Sequence, residues 1–327
     1  MQVLRTPDAA FDNLPGWGWE PSYFTSTLFG AEVRIAFYDL GDPSAAETIL
    51  LPHGEPSWSY LNRKLIPPLL EAGHRVVLFD QVGFGRSDKP VKEEDYSYER
   101  HVAWNEDLLI NHLDLRGVTA LLQDWGGLLG LRVVATHPER FRRLCLANTF
   151  LPTCDDSFFA VNEGFYGWKT FAASSKLAGD RLASMMIRGT AGPSAGLEGA
   201  ISKAEAAAYG APYPTDEYKA GARVFPELVP TPPSDPTGRP QLHGGEENKA
   251  AWKVLEALQI PVLTAFGDND PVMAGCDKIW QERCVGAKGQ PHCLIKGAGH
   301  FVQDGGSEQL AEVLLAFVAA SHGAASL

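Results

Sequence analysis

Short apolar segments recur along the chain, and stretches long enough to form helices separate most of them. Such segments, rich in leucine, isoleucine and valine, are typical of β-strands that are buried on both faces. Strands of this kind build a mostly parallel sheet that helices cover on both sides. The sequence therefore predicts an α/β fold with strands at residues 32–41, 48–52, 75–80, 119–123, 143–149, 261–267 and 292–299.

This alternation stops between about residues 151 and 240. Aromatic residues and alanine-rich stretches occupy the region, which ends in the proline-dense sequence TPPSDPTGRP at 231–240. The composition favours a helical insertion that returns to the sheet through a stiff linker. We therefore expect residues 1–150 and 241–327 to form the two parts of one core, and residues 151–240 to form an inserted helical domain.

The charge of the chain restricts its partners. The 327 residues carry a formal net charge of −12, with a pI near 5.2, and no basic stretch is available to bind phosphates, so we expect no nucleic-acid partner. No apolar run approaches the roughly 20 residues that span a bilayer. The N-terminus also lacks the features of a secretory signal. We expect a cytoplasmic, monomeric protein that does not bind membranes.

The five cysteines give no indication of a metal site. Their spacing contains no C-x-x-C pair, and Cys276, Cys284 and Cys293 are too evenly scattered to resemble a zinc site. Cys145 lies within an apolar, strand-like run. We therefore expect neither a metal ion nor a cofactor.

The sequence ALLQDWGGLLG at 120–130 places an acid where a buried strand turns into a helix. A strand, a sharp turn at one reactive residue, and a helix form a nucleophile elbow, which usually reads G-x-S-x-G. Asp124 stands at the serine position, Gly126 keeps the second glycine and Leu122 replaces the first. Alternatively, Asp124 is the N-cap of a helix that begins near Gly126.

Two distant residues favour the catalytic interpretation. Asp270 and His300 each follow a strand-like run, and the order of nucleophile, acid and histidine is that of hydrolases built on this elbow. Asp268 is an alternative acid because it lies only two residues earlier. We prefer Asp270, which lies farther into the loop and precedes Pro271.

Replacing serine with aspartate changes the chemistry. A carboxylate is already ionised at neutral pH, so it needs no base in order to attack a saturated carbon and form an alkyl ester. His300 would then activate a water molecule that hydrolyses this ester, while Asp270 orients the imidazole. The expected oxyanion donors are the backbone N–H of Trp125 and one N–H of the loop at 52–60, near Glu55.

Seven sequence stretches together resemble the haloalkane dehalogenases, and specifically their first subfamily. The similarity extends from about residue 5 to residue 315 and includes the insertion. The stretches are HGEPSWSYL (53–61), FDQVGFGRSDKP (79–90), LLQDWGG (121–127), GFYGWK (164–169), AEAAAYGAPYP (204–214), AGARVFPELV (220–229) and AGHFVQD (298–304). The resemblance implies an α/β-hydrolase fold in which an eight-stranded core carries a helical cap.

The same resemblance implies roles for single residues. Asp124 would be the nucleophile, His300 the base and Asp270 the acid, with Trp125 and Trp168 as the two tryptophans that stabilise the halide. Indole N–H groups suit this role because they donate hydrogen bonds without acting as a base. From spacing alone, Trp168 would be a packing residue of the insertion.

The resemblance also implies the reactants and a further residue. The substrate would be a small halogenated alkane, with water as the second reactant and a halide ion as a product. Glu55 would help near the attacking water. Asn62 departs from the family pattern, in which tyrosine is common at this position, and residues 170–200 match poorly, so we expect this segment to reshape the pocket entrance.

Three other functions remain open from the sequence. An epoxide hydrolase would use the same nucleophile with tyrosine donors, for which the insertion offers Tyr166, Tyr209, Tyr213 and Tyr218. Its motif usually reads H-D-W-G, whereas this chain has Gln123 before Asp124. A fluoroacetate-type dehalogenase would need an arginine where Trp125 stands. A non-catalytic binding protein on this fold is the remaining alternative.

Overall fold

The computed structural model describes residues 1–155, 163–175, 182, 185–186, 201–238 and 240–322. Most of the poorly matching segment 170–200 lies outside these residues, so its effect on the pocket entrance stays a prediction. Among the described residues, no helix is both long enough and apolar enough to cross a bilayer.

The core contains one eight-stranded sheet with the order β1-β2-β4-β3-β5-β6-β7-β8. Neighbouring strands are parallel except at β2, which is antiparallel to both β1 and β4. The strands are β1 (Ser22–Ser26), β2 (Val33–Leu40), β3 (Thr48–Leu50), β4 (Arg75–Phe79), β5 (Val118–Gln123), β6 (Phe141–Ala147), β7 (Val262–Gly267) and β8 (Cys293–Ile295).

All seven strands predicted from apolar runs are present, with ends that differ by a few residues. The eighth strand, β1, was not predicted from the residues. Its sequence SYFTS lies at the sheet edge and is largely exposed, so it carries no apolar run. The eight-stranded sheet implied by the family resemblance is confirmed.

Helices connect the strands and cover both faces of the sheet. The helix α2 continues into a π-helical turn at Asp107–His112. The helices are α1 (Ile66–Glu71), α2 (Tyr98–Glu106), α3 (Asp124–Thr136), α4 (Glu163–Ser175), α5 (Lys203–Ala208), α6 (Ala220–Leu228), α7 (Gly245–Ala257), α8 (Cys276–Arg283), α9 (Val302–Gly305) and α10 (Ser307–His322).

Alternate residues of a strand belong to different apolar layers. In β4, Val76 and Leu78 join one buried cluster, while Val77 and Phe79 join the other. This is the two-residue period expected of a strand buried on both faces. The first cluster also contains residues of α5 and α6, so the helices inserted between β6 and β7 pack on that layer.

A buried ion pair joins three neighbouring strands near their amino ends, on the edge of the sheet opposite the active-site loops. Glu47, directly before β3, accepts a hydrogen bond from Arg143 of β6 at 2.6 Å. Thr119 of β5 lies between them, 2.9 Å from the arginine and 3.2 Å from the carboxylate. Both charged side chains are almost fully buried. The pair therefore fixes the relative position of strands whose ends lead into the active-site loops.

Removing one partner of this pair is expected to destabilise the fold. Glu47→Ala leaves the Arg143 charge buried, which should lower the free energy of unfolding by about 3–5 kcal/mol. Urea titration followed by circular dichroism measures the change. The control Asp39→Ala breaks the more exposed Arg75–Asp39 pair and should cost less than about 1 kcal/mol. Equal losses in both variants would contradict this role of Glu47.

Candidate active site

The carboxyl end of β5 presents Asp124 at a sharp turn. Asp124 is the first residue of α3 and has a φ of 49°, in the left-handed region that non-glycine residues seldom adopt. Asn148 and Thr149 hold its backbone: Asp124 N–H donates to the Asn148 carbonyl at 3.1 Å, and the Thr149 hydroxyl donates to the Asp124 carbonyl at 2.9 Å. Gly126 is required because a Cβ there would lie 2.5 Å from the Pro52 carbonyl oxygen.

Both carboxylate oxygens of Asp124 have partners outside its helix. Oδ1 accepts the backbone N–H of Glu55 at 2.7 Å, and Oδ2 lies 3.1 Å from His300 Nε2. The N-cap residue of α3 is Gln123, and Asp124 is the first residue of the helix itself. The capping interpretation of Asp124 is therefore wrong. Gly54 permits the close approach, since a Cβ at this position would lie 2.2 Å from Oδ1.

Asp270 lies on the far side of the His300 ring. Its Oδ2 is 2.8 Å from His300 Nδ1 and also accepts a hydrogen bond from the Asn148 amide at 2.8 Å. Its Oδ1 accepts the Val272 N–H at 2.8 Å. Asp268 instead accepts the N–H of Gly297 and lies outside this cluster. The structure thus brings Asp124, His300 and Asp270 together.

The two carboxylates control the charge of the imidazole. Burial disfavours the imidazolium, but the attraction of Asp270, hydrogen bonds to both carboxylates and the attraction of Asp124 outweigh it and raise the pKa of His300 to about 10. Burial also opposes ionisation of Asp270. The nearby His300 charge and three hydrogen bonds nevertheless hold the pKa of Asp270 below its usual value. The site therefore holds a buried ion pair before substrate binds.

A narrow cavity opens beside the Asp124 and His300 side chains. Apolar groups form most of its wall, and no tyrosine is among the described residues that line it. The lining residues are Asp124, Trp125, Leu128, Phe150, Pro152, Phe165, Trp168, Val229, Val272, Met273 and His300. Such a wall suits a small apolar substrate, because few groups would compete with the catalytic carboxylate.

Both predicted tryptophans border this cavity. The Trp125 ring packs against Phe225 and Tyr98, with ring centroids 4.6 Å and 5.4 Å apart. Its indole Nε1 is buried and has no hydrogen-bond partner in the structure. A buried donor without a partner is costly and points to an acceptor that arrives with the substrate. Trp168 extends from α4 of the insertion and is only half-buried.

The backbone and the side chain of Glu55 have separate roles in the cluster. The backbone N–H donates a hydrogen bond to Asp124. Burial and the nearby Asp124 charge raise the pKa of the Glu55 carboxyl well above its usual value, which favours its uncharged form. Its Oε1 is buried without a hydrogen-bond partner.

Sequence reasoning missed two amides that hold the site together. Asn148, besides binding Asp270, accepts the Gly267 N–H at 2.7 Å through its Oδ1. Gln123, directly before the elbow, donates to the His300 carbonyl at 3.0 Å. Gln123 is the last residue of β5, and Asn148 directly follows β6. Both lie at the carboxyl edge of the sheet, where ligand-binding groups of α/β sheets collect, and their roles could have been predicted from that position.

Comparison with known proteins identifies the family of this chain. A family model described as alpha/beta hydrolase fold matches residues 47–307. A haloalkane dehalogenase from Psychrobacter cryohalolentis is 44% identical over 319 residues, which cover 97% of this chain and 98% of that protein. The chain belongs to the haloalkane dehalogenase family. Haloalkane dehalogenase 1 of Mycobacterium tuberculosis is 42% identical over 318 residues, covering 97% of this chain and 99% of that protein.

A solved haloalkane dehalogenase has the same architecture. The enzyme DpaA from Paraglaciecola agarilytica, described as tetrameric, aligns with a TM-score of 0.81 and 33% identity over 98% of both chains. The resemblance to haloalkane dehalogenases is therefore confirmed, together with the α/β-hydrolase fold and its inserted helices.

The charge state of His300 in this dehalogenase distinguishes Asp270 from Asp268. Asp270→Asn removes an attraction that raises the pKa of His300 while the burial that lowers it remains, so the pKa should fall from about 10. Nitrogen-detected NMR of the imidazole across a pH series measures it. Asp268→Asn is the matched control and should leave the pKa unchanged. The opposite pattern would make Asp268 the acid.

Proposed function

We propose that this haloalkane dehalogenase hydrolyses carbon–halogen bonds of small haloalkanes in two steps, through an alkyl ester on Asp124. The supporting observation is that the Asp124 carboxylate, the His300 ring and the unpartnered Trp125 indole N–H border one apolar cavity. A nucleophile, a base and a donor for the leaving group are the three parts that the reaction needs.

In the first step, Asp124 Oδ2 attacks the carbon that carries the halogen. The new carbon–oxygen bond forms as the carbon–halogen bond breaks, and the bonding electrons leave with the halide. Oδ1 points at the Glu55 N–H, a donor suited to oxyanion charge, so Oδ2, on the His300 side, is the proposed attacking oxygen. Trp125 and Trp168 donate their indole N–H groups to the departing halide. In a dry cavity such donors stabilise developing charge more strongly than water does.

Ester formation then changes the role of His300. An esterified Asp124 has no charge, so the attraction and the hydrogen bond that it contributes to the imidazolium are lost. The pKa of His300 falls, and the ring can lose its proton to solvent and act as a base in the second step. Asp270 keeps the ring oriented because its contact with Nδ1 does not depend on Asp124.

In the second step, His300 Nε2 takes a proton from water as the water oxygen attacks the ester carbonyl. Negative charge develops on Asp124 Oδ1, where the Glu55 N–H already points, with the Trp125 backbone N–H as the second proposed donor. Collapse of this intermediate releases the alcohol and restores the carboxylate. The sum consumes a haloalkane and water and produces an alcohol, a halide and a proton.

An epoxide hydrolase would need acidic donors directed at the substrate oxygen. Two of the four tyrosines considered for that role are buried and directed elsewhere: the Tyr209 hydroxyl donates to Asp304 at 2.7 Å, and the Tyr213 hydroxyl to the Pro56 carbonyl at 3.5 Å. With tryptophans and no described tyrosine at the cavity, the site favours a halide as the leaving group.

We also keep three sequence predictions as proposals. The domain limits are 1–150 and 241–327 for the core and 151–240 for the cap, consistent with the end of β6 at Ala147 and the start of α7 at Gly245. The protein is cytoplasmic. It is a monomer. Because one relative is described as tetrameric, light scattering is the measurement that tests the oligomeric state.

Blocking the second step should trap the ester. His300→Gln removes the base but leaves Asp124 able to attack, so incubation with 1-bromobutane should add one butyl group to the protein. Intact-mass and peptide mass spectrometry locate it at Asp124. The variant Asp124→Ala/His300→Gln should stay unmodified. A separate assay must first confirm that the wild type turns over 1-bromobutane and does not turn over styrene oxide. If the His300→Gln protein then stays unmodified, the mechanism is refuted.

Loss of an indole donor should weaken halide binding. Trp125→Phe and Trp168→Phe each keep an aromatic ring and remove the N–H, and a hydrogen bond to a charged partner is worth about 1.5–3 kcal/mol. The Kd for bromide, from isothermal calorimetry, should therefore rise by about tenfold or more. Trp19→Phe, which lies outside the cavity lining, is the control. An unchanged Kd in either cavity variant removes that tryptophan from the role.

A further inference from the structure

The helix that carries Trp168 also carries a buried lysine. Lys169 directly follows Trp168 in α4, and its side chain is only 1% exposed. Its ammonium group forms an ion pair with Asp235, which is 0% exposed, and donates a hydrogen bond to the Thr231 hydroxyl at 3.1 Å. Lysine is almost never fully buried without a partner, so this contact is a specific feature of the fold.

Asp235 and Thr231 belong to the proline-rich segment that the sequence suggested was a stiff linker. The segment is folded upon itself. Asp235 Oδ1 accepts the Thr237 N–H at 2.8 Å and its hydroxyl at 2.6 Å, and Thr231 exchanges backbone and side-chain hydrogen bonds with Gln241. Other hydrogen bonds therefore hold the Asp235 carboxylate and the Thr231 hydroxyl, the two groups that bind Lys169, in place.

Lys169 and Trp168 are adjacent in α4, so the contact of one is related to the direction of the other. Consecutive helical residues lie about 100° apart, so directing Lys169 towards residues 231–237 turns the neighbouring Trp168 towards Asp124 and His300. Phe165, one turn earlier, faces the same active-site cavity. The opposite side of the helix borders a second cavity, between Lys169, Ala173 and the loop at Pro236. Packing between the described residues is therefore incomplete there, which gives a directional contact more influence.

We propose that the Lys169–Asp235 ion pair positions the Trp168 indole for halide binding. The inference depends on the proposed role of Trp168 and adds the residues that place it. Lys169 and Asp235 are positioning residues, since neither contacts the active-site cavity in the structure. Trp125 does not need such support because it is attached to the elbow residue itself, whereas Trp168 reaches the cavity from a separate part of the fold.

The test compares variants of both partners. Lys169→Met and the milder Asp235→Asn remove one charge each. A shift of the Trp168 indole by about 1 Å is enough to lose a large part of its interaction with the halide. The Kd for bromide should rise by at least about tenfold in both variants. Lys249→Met, which breaks an exposed ion pair of α7, is the control and should bind bromide as the wild type does.

A double variant separates positioning from stability. Lys169→Met/Asp235→Leu replaces the buried ion pair with apolar groups, and such replacements often restore stability. The melting temperature should recover towards that of the wild type, while the Kd for bromide stays raised because the directional contact is missing. The pKa of His300, measured by NMR, should not change in any of these variants. Recovery of halide binding together with the melting temperature would overturn the proposal.

The outcome for Trp168→Phe distinguishes this inference from the proposed function. If that variant binds bromide as the wild type does, the halide role of Trp168 fails, and the inference fails with it. If it binds weakly but Lys169→Met and Asp235→Asn, both folded, bind normally, only the positioning role is refuted. Weak binding in all three supports both.

Discussion

The hydrogen bond from the Glu55 N–H to Asp124 Oδ1, 2.7 Å long, joins the loop after β3 to the elbow after β5. It can form only because Gly54 has no side chain and because Asp124 adopts a left-handed φ of 49°. That turn aims the carboxylate away from its helix and towards His300. It also distinguishes the oxygens, because Oδ1 binds an N–H suited to oxyanion charge and Oδ2 lies beside His300. The proposed two-step chemistry is based on this distinction.

Charge within the cluster supports the same sequence of steps. Glu55, Asp124 and Asp270 surround one imidazole, and three buried carboxylates could not all be ionised beside a single positive charge without a large cost. Burial and the Asp124 charge raise the pKa of Glu55 and favour its uncharged form, whereas His300 and three hydrogen bonds outweigh burial at Asp270 and keep its pKa low. In the proposed mechanism, esterification of Asp124 removes the attraction and the hydrogen bond that this residue contributes to the His300 imidazolium. The pKa of His300 then falls, so the ring becomes a base once the ester has formed.

The sequence predicted the parts of this enzyme that follow from local pattern. Buried strands of apolar residues can be read directly, and Asp124, Asp270 and His300 could be proposed because each follows such a strand. The edge strand Ser22–Ser26 could not, since an exposed edge carries no apolar pattern. Asn148 and Gln123 were missed because a buried amide shows its function only through its partners, which lie far away in the sequence. The proline-rich segment was predicted to be a linker for the same reason. Its contact with the insertion involves Lys169, which lies more than sixty residues earlier in the sequence.

The two tryptophans at the cavity are held in different ways, and this difference separates halide binding from the proposed ester hydrolysis. Trp125 follows the nucleophile in sequence, so its indole cannot move far without disturbing the elbow and the hydrogen bond to Glu55. Trp168 depends on the insertion, and so on contacts such as the one between Lys169 and the segment at 231–237. Changes in the insertion can therefore alter halide affinity and release while the triad geometry stays the same. In the proposed mechanism, ester hydrolysis uses only core residues, so the choice and departure of the leaving group can vary independently of the hydrolytic step.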